Sequence, residues 1–281
     1  MRIGLHVPVA AGYEGAVAYA RSLGCDALQF FAGNPKTYRT TAIDRESVER
    51  FRDLRLEHGL DPAVIHTSYL INLASEDPKI AANSLRLLKA DLAFAGAGGV
   101  RYVNTHLGSY GKRPRSEGFT QVVAALEAAL AGIPSGVELV LENSAGAGQL
   151  CGGTVDELGE FLRAVGHPQL GVCIDTAHAW AAGYDIDTQA GVDRFIALAA
   201  EHITLERLPL FHFNDTQIPL GGHRDRHWHI GEGAIGFEGF RALLARPELA
   251  GKTAILETPG TEDDDRRNMA AVRAILEGVA A

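Results

Sequence analysis

Residues 63–106, AVIHTSYLINLASEDPKIAANSLRLLKADLAFAGAGGVRYVNTH, hold one complete structural period. The apolar run Ala63–His66 reads as a buried parallel strand, continuous rather than alternating, as expected where helices cover a sheet. Asp77-Pro78 then sets an N-cap before a proline at the first helical position, and apolar residues three and four apart run through Ile80–Phe94. Gly96 follows where a left-handed terminal residue is wanted, and a second apolar run, Arg101–His106, returns to the sheet. The unit is strand–helix–strand, and both strands end on histidine.

The same alternation extends in both directions. Arg2–Val7 and Ala27–Phe31 precede it, and Glu138–Glu142, Leu170–Asp175, Leu210–Phe213 and Thr253–Glu257 follow. Between them lie helical patterns such as Gln121–Leu130, Val155–Val165 and Met269–Leu276, with Gly132 and Gly166 as terminators and Thr154-Val-Asp-Glu157 as a capping-box pattern. Eight units in 281 residues average about 35 residues each, the size of a βα unit in a barrel. An open doubly wound sheet would favour a glycine-rich phosphate loop after its first strand, and HVPVAAGYEG contains no GxGxxG. The expectation is an α/β chain forming a (βα)8 TIM barrel as a single domain over residues 1–281.

Composition bounds the function. Hydrophobic content of 46% and charged content of 22% are those of a globular protein, and no segment approaches the roughly 20 apolar residues of a membrane span. The start, MRIGLHVPVA, lacks the basic and apolar regions of a signal peptide and reads as a strand of the fold. Three cysteines, Cys25, Cys151 and Cys173, are sparse and odd in number, which favours a cytoplasmic protein without disulfides. A net charge of −9, taken alone, argues against a nucleic-acid partner.

Metal-type side chains mark the strand ends. His66, His106, Glu142, Asp175, His212 and Glu257 are separated by 40, 36, 33, 37 and 45 residues, about the period of the fold. In a barrel those ends converge on one face, where active sites are built. His178 in DTAH, and Asp225 and His227 in DRH, join from the loops. A lone histidine at a strand end is more often a hydrogen-bonded core residue than a ligand, but nine such residues in phase are improbable as accidents. One zinc takes three or four protein ligands, so nine candidates imply two or three metals, with Glu142 able to bridge a pair. Nitrogen and oxygen donors without thiolate suit Zn, Mn or Fe, and the histidines tilt the choice to zinc. His6 ends the first strand and is placed to support the site; His58, His167, His202, His223 and His229 are not read as ligands.

Several segments then become recognisable: HTSYLINLAS from His66, NTHLGS around His106, LENSAGAG from Leu141, GVCIDTAHAWAAGYDI from Gly171, HFNDT from His212, GGHRDRHWHIGEGAIG from Gly221 and ILETPG from Ile255. In these the chain resembles the endonuclease IV family of zinc-dependent apurinic/apyrimidinic endonucleases, along essentially its whole length. The resemblance implies three Zn²⁺ ions, with Mn²⁺ an alternative at one site. His66, His106 and Glu142 would hold the first; Glu142, Asp175, His212 and Glu257 the second; His178, Asp225 and His227 the third.

It further implies hydrolysis of the phosphodiester 5′ to an abasic site by a hydroxide formed at the metals, leaving a 3′-hydroxyl and a 5′-deoxyribose phosphate. Removal of phosphate and phosphoglycolate from blocked 3′ ends is implied as well. Glu142 is the expected catalytic residue. Tyr69 and Leu70 would enter double-stranded DNA at the lesion, and Lys36 and Arg226 would contact it. The sequence departs from the family's pattern at Tyr38, where tryptophan is usual, and near Ala147, where glutamine is usual. Lys36, Arg39, Lys112, Arg113, Arg115, Arg224 and Arg226 fall in predicted loops of one face, so the local field there offsets the acidic total. A monomer with no obligate protein partner is expected. A metal-dependent sugar isomerase or epimerase on the same barrel is the alternative; it would need fewer ligands.

Overall fold

A computed structural model of the chain describes residues 1–40 and 42–278; position 41 and the last three positions of the expected domain lie outside the described residues. Eight strands close into a parallel barrel: β1 (Arg2–His6), β2 (Ala27–Phe30), β3 (Ala63–His66), β4 (Tyr102–Thr105), β5 (Glu138–Glu142), β6 (Leu170–Asp175), β7 (Leu210–His212) and β10 (Thr253–Leu256). They follow one another around the barrel in chain order, with β10 pairing β1 through Arg2↔Thr253 to Leu5↔Leu256. Two-residue strands β8 (Asp215–Thr216) and β9 (His227–Trp228) form a small antiparallel pair in the long segment after β7.

Helices α1 (Gly12–Ser22), α2 (Arg45–Glu57), α3 (Pro78–Gly98), α4 (Arg115–Leu130), α5 (Val155–Val165), α6 (Thr176–Ala182), α7 (Gln189–His202), α8 (Gly236–Leu244) and α9 (Glu262–Leu276) fill the connections. As read from sequence, Asp77 caps α3, its carboxylate accepting from the Lys79 N–H at 2.8 Å. Gly96 does not end that helix. It lies inside, where a Cβ would come 2.5 Å from the Pro134 ring, and Gly99 at φ 59° is the left-handed terminator. Gly132 is likewise no terminator, since α4 gives way at Ala131 in a right-handed conformation; Gly166, at φ 63°, is one. At Thr154 only half of the capping box forms: the hydroxyl accepts from Glu157 N–H, but the Glu157 carboxylate turns to the Gly152 and Gly153 N–H groups. A full box heads α9, at Thr261 and Asp264.

Two layers inside the barrel position the site. Ala27, Val64, Tyr102, Val140, Cys173, Leu210 and Ile255, one from each of seven strands, pack as a separate apolar cluster, while neighbours such as Leu28, Ile65, Val103, Leu141 and Ile174 belong to the core beneath the helices. The eighth strand contributes Gly4, where a Cβ would meet the Ala27 carbonyl at 2.3 Å. Strand side chains alternate with period two, so the residues two positions further on share the inward side. They are His6, Gln29, His66, Asn104, Glu142, Asp175, His212 and Glu257. The apolar plug contributes about 1.5–3 kcal/mol for each large side chain it buries. An unpaired charge in the layer above would cost several kcal/mol, so that layer stands only if its members satisfy one another or bind a cation.

Candidate metal centre

Eight of the nine candidate residues meet at the C-terminal end of the barrel in three groups of ligand atoms, and the ninth, Asp225, lies beside the third. His66, His106 and Glu142 form one, Glu142, Asp175, His212 and Glu257 a second, and Asp175, His178 and His227 a third, with the atoms in each within 4.8 Å of one another. Glu142 spans the first two: Oε2 lies 3.3 Å from Nε2 of both His66 and His106, and Oε1 lies 3.1 Å from His212 Nδ1. Asp225 stands over the third group, its Oδ1 3.2 Å from His178 Nε2 and 3.4 Å from His227 Nε2. Asp175 is shared as well, with Oδ2 3.4 Å from His227 Nε2 and 4.0 Å from His212 Nδ1. The sequence reading named Glu142 as a carboxylate able to bridge a pair; in the fold both Glu142 and Asp175 lie between two groups of candidate ligand atoms.

The imidazoles are turned to present lone pairs. Nδ1 of His66, His178 and His227 faces the carbonyl oxygens of Thr67, Asn143 and Glu257 at 2.8, 3.1 and 3.2 Å. A carbonyl only accepts, so each Nδ1 carries its proton and each Nε2 is left as a ligand atom. His178 Nε2 and His227 Nε2 are buried without a hydrogen-bond partner, although carboxylate oxygens lie 3.2–3.4 Å away. Buried lone pairs gathered among carboxylates are costly unless a cation lies between them. These residues therefore fit a cluster of divalent metal ions, and the absence of thiolate suits Zn, Mn or Fe.

Electrostatics follow from the crowding. Burial alone would raise the Glu142 carboxyl, but His106, His212 and His178 outweigh it and hold it well below the usual carboxylate range. Glu257 is held down against burial by His212, His6 and His66, and Asp225 against burial by His178 to about 2. His178 and His212 are raised well above the ordinary imidazole value: burial opposes this, but Asp175 and Asp225 favour a proton on the first, and Cys173, Glu257 and Glu142 on the second. His106, between His66 and His178, is lowered, chiefly by burial.

Neutral and carboxylate groups that spacing did not flag hold the ligands. Asn104 donates to Glu142 Oε2 at 2.6 Å, Asn214 to Asp175 Oδ2 at 2.7 Å, and the Asn143 side-chain carbonyl accepts from the Asp175 N–H at 2.7 Å. Asp215, fully buried, accepts five backbone N–H bonds, from Thr216, Gly231, Gly233, Ile235 and Gly236 at 2.8–3.2 Å. That carboxylate winds residues 231–236 around itself, and its own strand β8 pairs with β9, which carries His227. The available signal was positional: Gln29 and Asn104 lie two residues beyond the apolar plug, in phase with the ligands.

Around the rim, Tyr69 is exposed, its ring 5.1 Å from that of Phe31 and 6.2 Å from that of His66. Leu70 is half-buried and tied by its backbone: its N–H donates to Ser68 Oγ and its carbonyl accepts from Tyr38 Oη at 3.3 Å. Lys36 and Arg226 are exposed, with the Arg226 guanidinium 6.0 Å from the Trp228 ring. Two of the cations assigned to this face are committed elsewhere. Arg113 binds Gln121 and the Ala74 carbonyl, and Arg115 heads α4, where it pairs with Glu157 and Glu160. His6 reaches the layer from β1, its Nδ1 3.6 Å from Glu257 Oε1. The three cysteines are free, with Cys173 in the apolar plug. No helix among the described residues is long and apolar enough to cross a membrane.

Comparison with known proteins gives the geometry its family. Residues 17–277 match the family model of the xylose isomerase-like TIM barrel. A probable endonuclease 4 from Natranaerobius thermophilus is 40% identical over 278 residues, 98% of each chain. The crystal structure of endonuclease IV from Thermus thermophilus superposes with a TM-score of 0.88 at 37% identity, covering 99% of this chain and 100% of that one. A D-tagatose 3-epimerase-like protein superposes with a TM-score of 0.74 at 19% identity, a likeness of fold alone. With its barrel closed, its ligand groups gathered at one end and its whole length aligned, the chain belongs to the endonuclease IV family.

Proposed function

We propose that this chain hydrolyses the phosphodiester 5′ to an abasic site in double-stranded DNA, leaving a 3′-hydroxyl and a 5′-deoxyribose phosphate, and that it also clears phosphate and phosphoglycolate from blocked 3′ ends. As a member of its family it is an enzyme acting on phosphodiester bonds. The observation that carries the finer reading is the set of three ligand groups joined through Glu142 and Asp175 in one bowl. Such a set exceeds what a single ion needs and matches the demands of a phosphate with developing charge on several oxygens.

His66, His106 and Glu142 would hold one zinc, Glu142, Asp175, His212 and Glu257 a second, and His178, Asp225 and His227 a third. When bound, zinc supplies Lewis acidity, lowering the pKa of water from 15.7 towards about 7 and offsetting charge that grows on phosphoryl oxygens. Glu142 acts from the centre of the bowl: kept ionised by its imidazole neighbours, it spans two groups and orients the attacking water. Tyr69, exposed at the rim, is placed to fill the space beside an abasic nucleotide, which is cheap to unstack. Leu70 backs it, and Lys36 and Arg226 meet phosphates. We read the chain, residues 1–281, as one domain acting as a cytoplasmic monomer.

Four carboxylates of the −9 total are drawn into the cluster, so the acidic balance does not describe the DNA-facing end. The test is incision of a duplex containing one tetrahydrofuran abasic analogue without added Mg²⁺, paired with elemental analysis. Incision and about three zincs per chain are expected. Activity only with Mg²⁺, or none after zinc loading, would contradict the reading. A single Mn or Mg per chain would instead favour the sugar isomerase alternative, which has no use for the third group.

A further inference from the structure

Every hydrogen-bonding direction of the Gln29 amide except one lone pair is engaged within the polar layer. Its nitrogen donates to Glu257 Oε1 at 2.5 Å and meets His6 Nδ1 at 3.0 Å, and its oxygen faces His212 Nε2 at 2.9 Å. The side chain is fully buried on β2. An ionised carboxylate can only accept, so the NH2 end must face Glu257 and the carbonyl must face His212. A carbonyl also only accepts, so His212 Nε2 carries the proton. Its Nδ1 is then the nitrogen left to ligate a metal; in the metal-free chain it is hydrogen-bonded with Glu142 Oε1 at 3.1 Å, with Glu257 Oε2 at 3.2 Å and Asp175 Oδ2 at 4.0 Å beside it. His66, His178 and His227 are arranged the other way round, with Nδ1 on a main-chain carbonyl and Nε2 as the ligand atom.

We propose that Gln29 is a positioning residue of the metal centre: it fixes His212 as an Nδ1 ligand and, by binding one oxygen of Glu257, aims the other at the same ion. This rests on the metal-centre reading above. One amide thus sets two ligands of the second group from outside it. His6 completes the arrangement by taking the remaining amide hydrogen, which prevents the amide from rotating to offer its nitrogen to His212. A glutamine that merely filled space would have no bearing on which imidazole nitrogen is metallated.

The test is long-range ¹H–¹⁵N NMR of the zinc-loaded protein, which reports the tautomer of each bound imidazole, together with zinc retention against a chelator. In the wild type, one metal-bound histidine carrying its proton on Nε2 is expected beside others protonated on Nδ1. Gln29→Met, similar in volume, is expected to lose that signature and to bind zinc about 10–100-fold more weakly at one site. Melting of the zinc-free forms separates this from a folding defect. Should Gln29→Met fail to fold, the wild-type spectrum still decides: all bound histidines protonated on Nδ1 would overturn the proposal. Unchanged retention and spectrum in Gln29→Met would overturn it while leaving the centre standing, whereas a wild-type chain that retains no zinc would remove both.

Discussion

Asn104 donates to Glu142 Oε2 at 2.6 Å, the same oxygen that lies 3.3 Å from the Nε2 atoms of His66 and His106. A neutral amide thereby fixes the rotation of the carboxylate shared by the first and second ligand groups. Glu142→Gln keeps the volume and removes the charge. Incision of the abasic duplex is expected to fall by on the order of 10²–10³-fold or more, with loss of bound zinc. Turnover near the wild-type rate would remove Glu142 from the bridging role.

Tyr69 carries its ring out over Phe31 at the rim and touches no candidate ligand by hydrogen bond. Tyr69→Ala is expected to weaken binding of lesion-containing duplex by about 1–3 kcal/mol, the scale of one aromatic stacking contact, with kcat little changed. Binding isotherms and saturation kinetics distinguish this from a defect in the centre, which would lower kcat.

Removing metal is expected to invert the dependence of melting temperature on pH. In the metal-free chain, His178 and His212 have raised values. Their pairing with carboxylates therefore stabilises fully below about pH 6.5 and is lost as pH rises through their folded values. Metal binding needs deprotonated ligands, so its stabilisation grows over the same interval. Scanning melts of chelated and zinc-loaded protein at pH 6 and pH 9 test this; parallel trends would contradict it.

Asp215 offers a test of loop support away from the ligands. Asp215→Ala leaves five backbone N–H groups without their acceptor, four of them in residues 231–236. A loss of about 3 kcal/mol or more is expected in denaturant unfolding. Faster amide exchange should be confined at first to that loop and to β9.

Asp91 on α3 has its carboxyl pushed up to about 7 by burial, only partly relieved by His66. Unfolded, it would release its proton near 3.8, so the folded chain holds more protons between those values and loses stability as pH climbs through them. Asp91→Asn is expected to stabilise by on the order of 1–3 kcal/mol at pH 8 and by little at pH 4. Equal effects at both values would show that the carboxyl is solvated.

The strands were legible because a parallel strand covered on both faces is written as an unbroken apolar run. Six of the nine ligand candidates were legible because charge and imidazole at the end of such a run are conspicuous, and His178, Asp225 and His227 because they cluster in DTAH and DRH. Gln29, Asn104, Asn143 and Asn214 were not, because a neutral amide is unremarkable until the inward parity of its strand is known. Arg113 and Arg115 read as free loop cations because the partners of Arg115, Glu157 and Glu160, lie more than 40 residues away. Gly96 read as a helix end because its reason for being glycine, the Pro134 ring, comes from the neighbouring βα unit.

The apolar plug and the polar layer are two steps of one count along every strand. A one-residue insertion within β3, β5, β6, β7 or β10 would turn a ligand into the helix-facing shell and expose a plug position in the same stroke. Loss of chemistry and loss of folding are consequently a single failure at those strands. An insertion in the loops beyond the layer, where Tyr69, Lys36 and Arg226 sit, would disturb neither count. The candidate ligands thus stand or fall with the barrel's register, while the rim can change length without moving them.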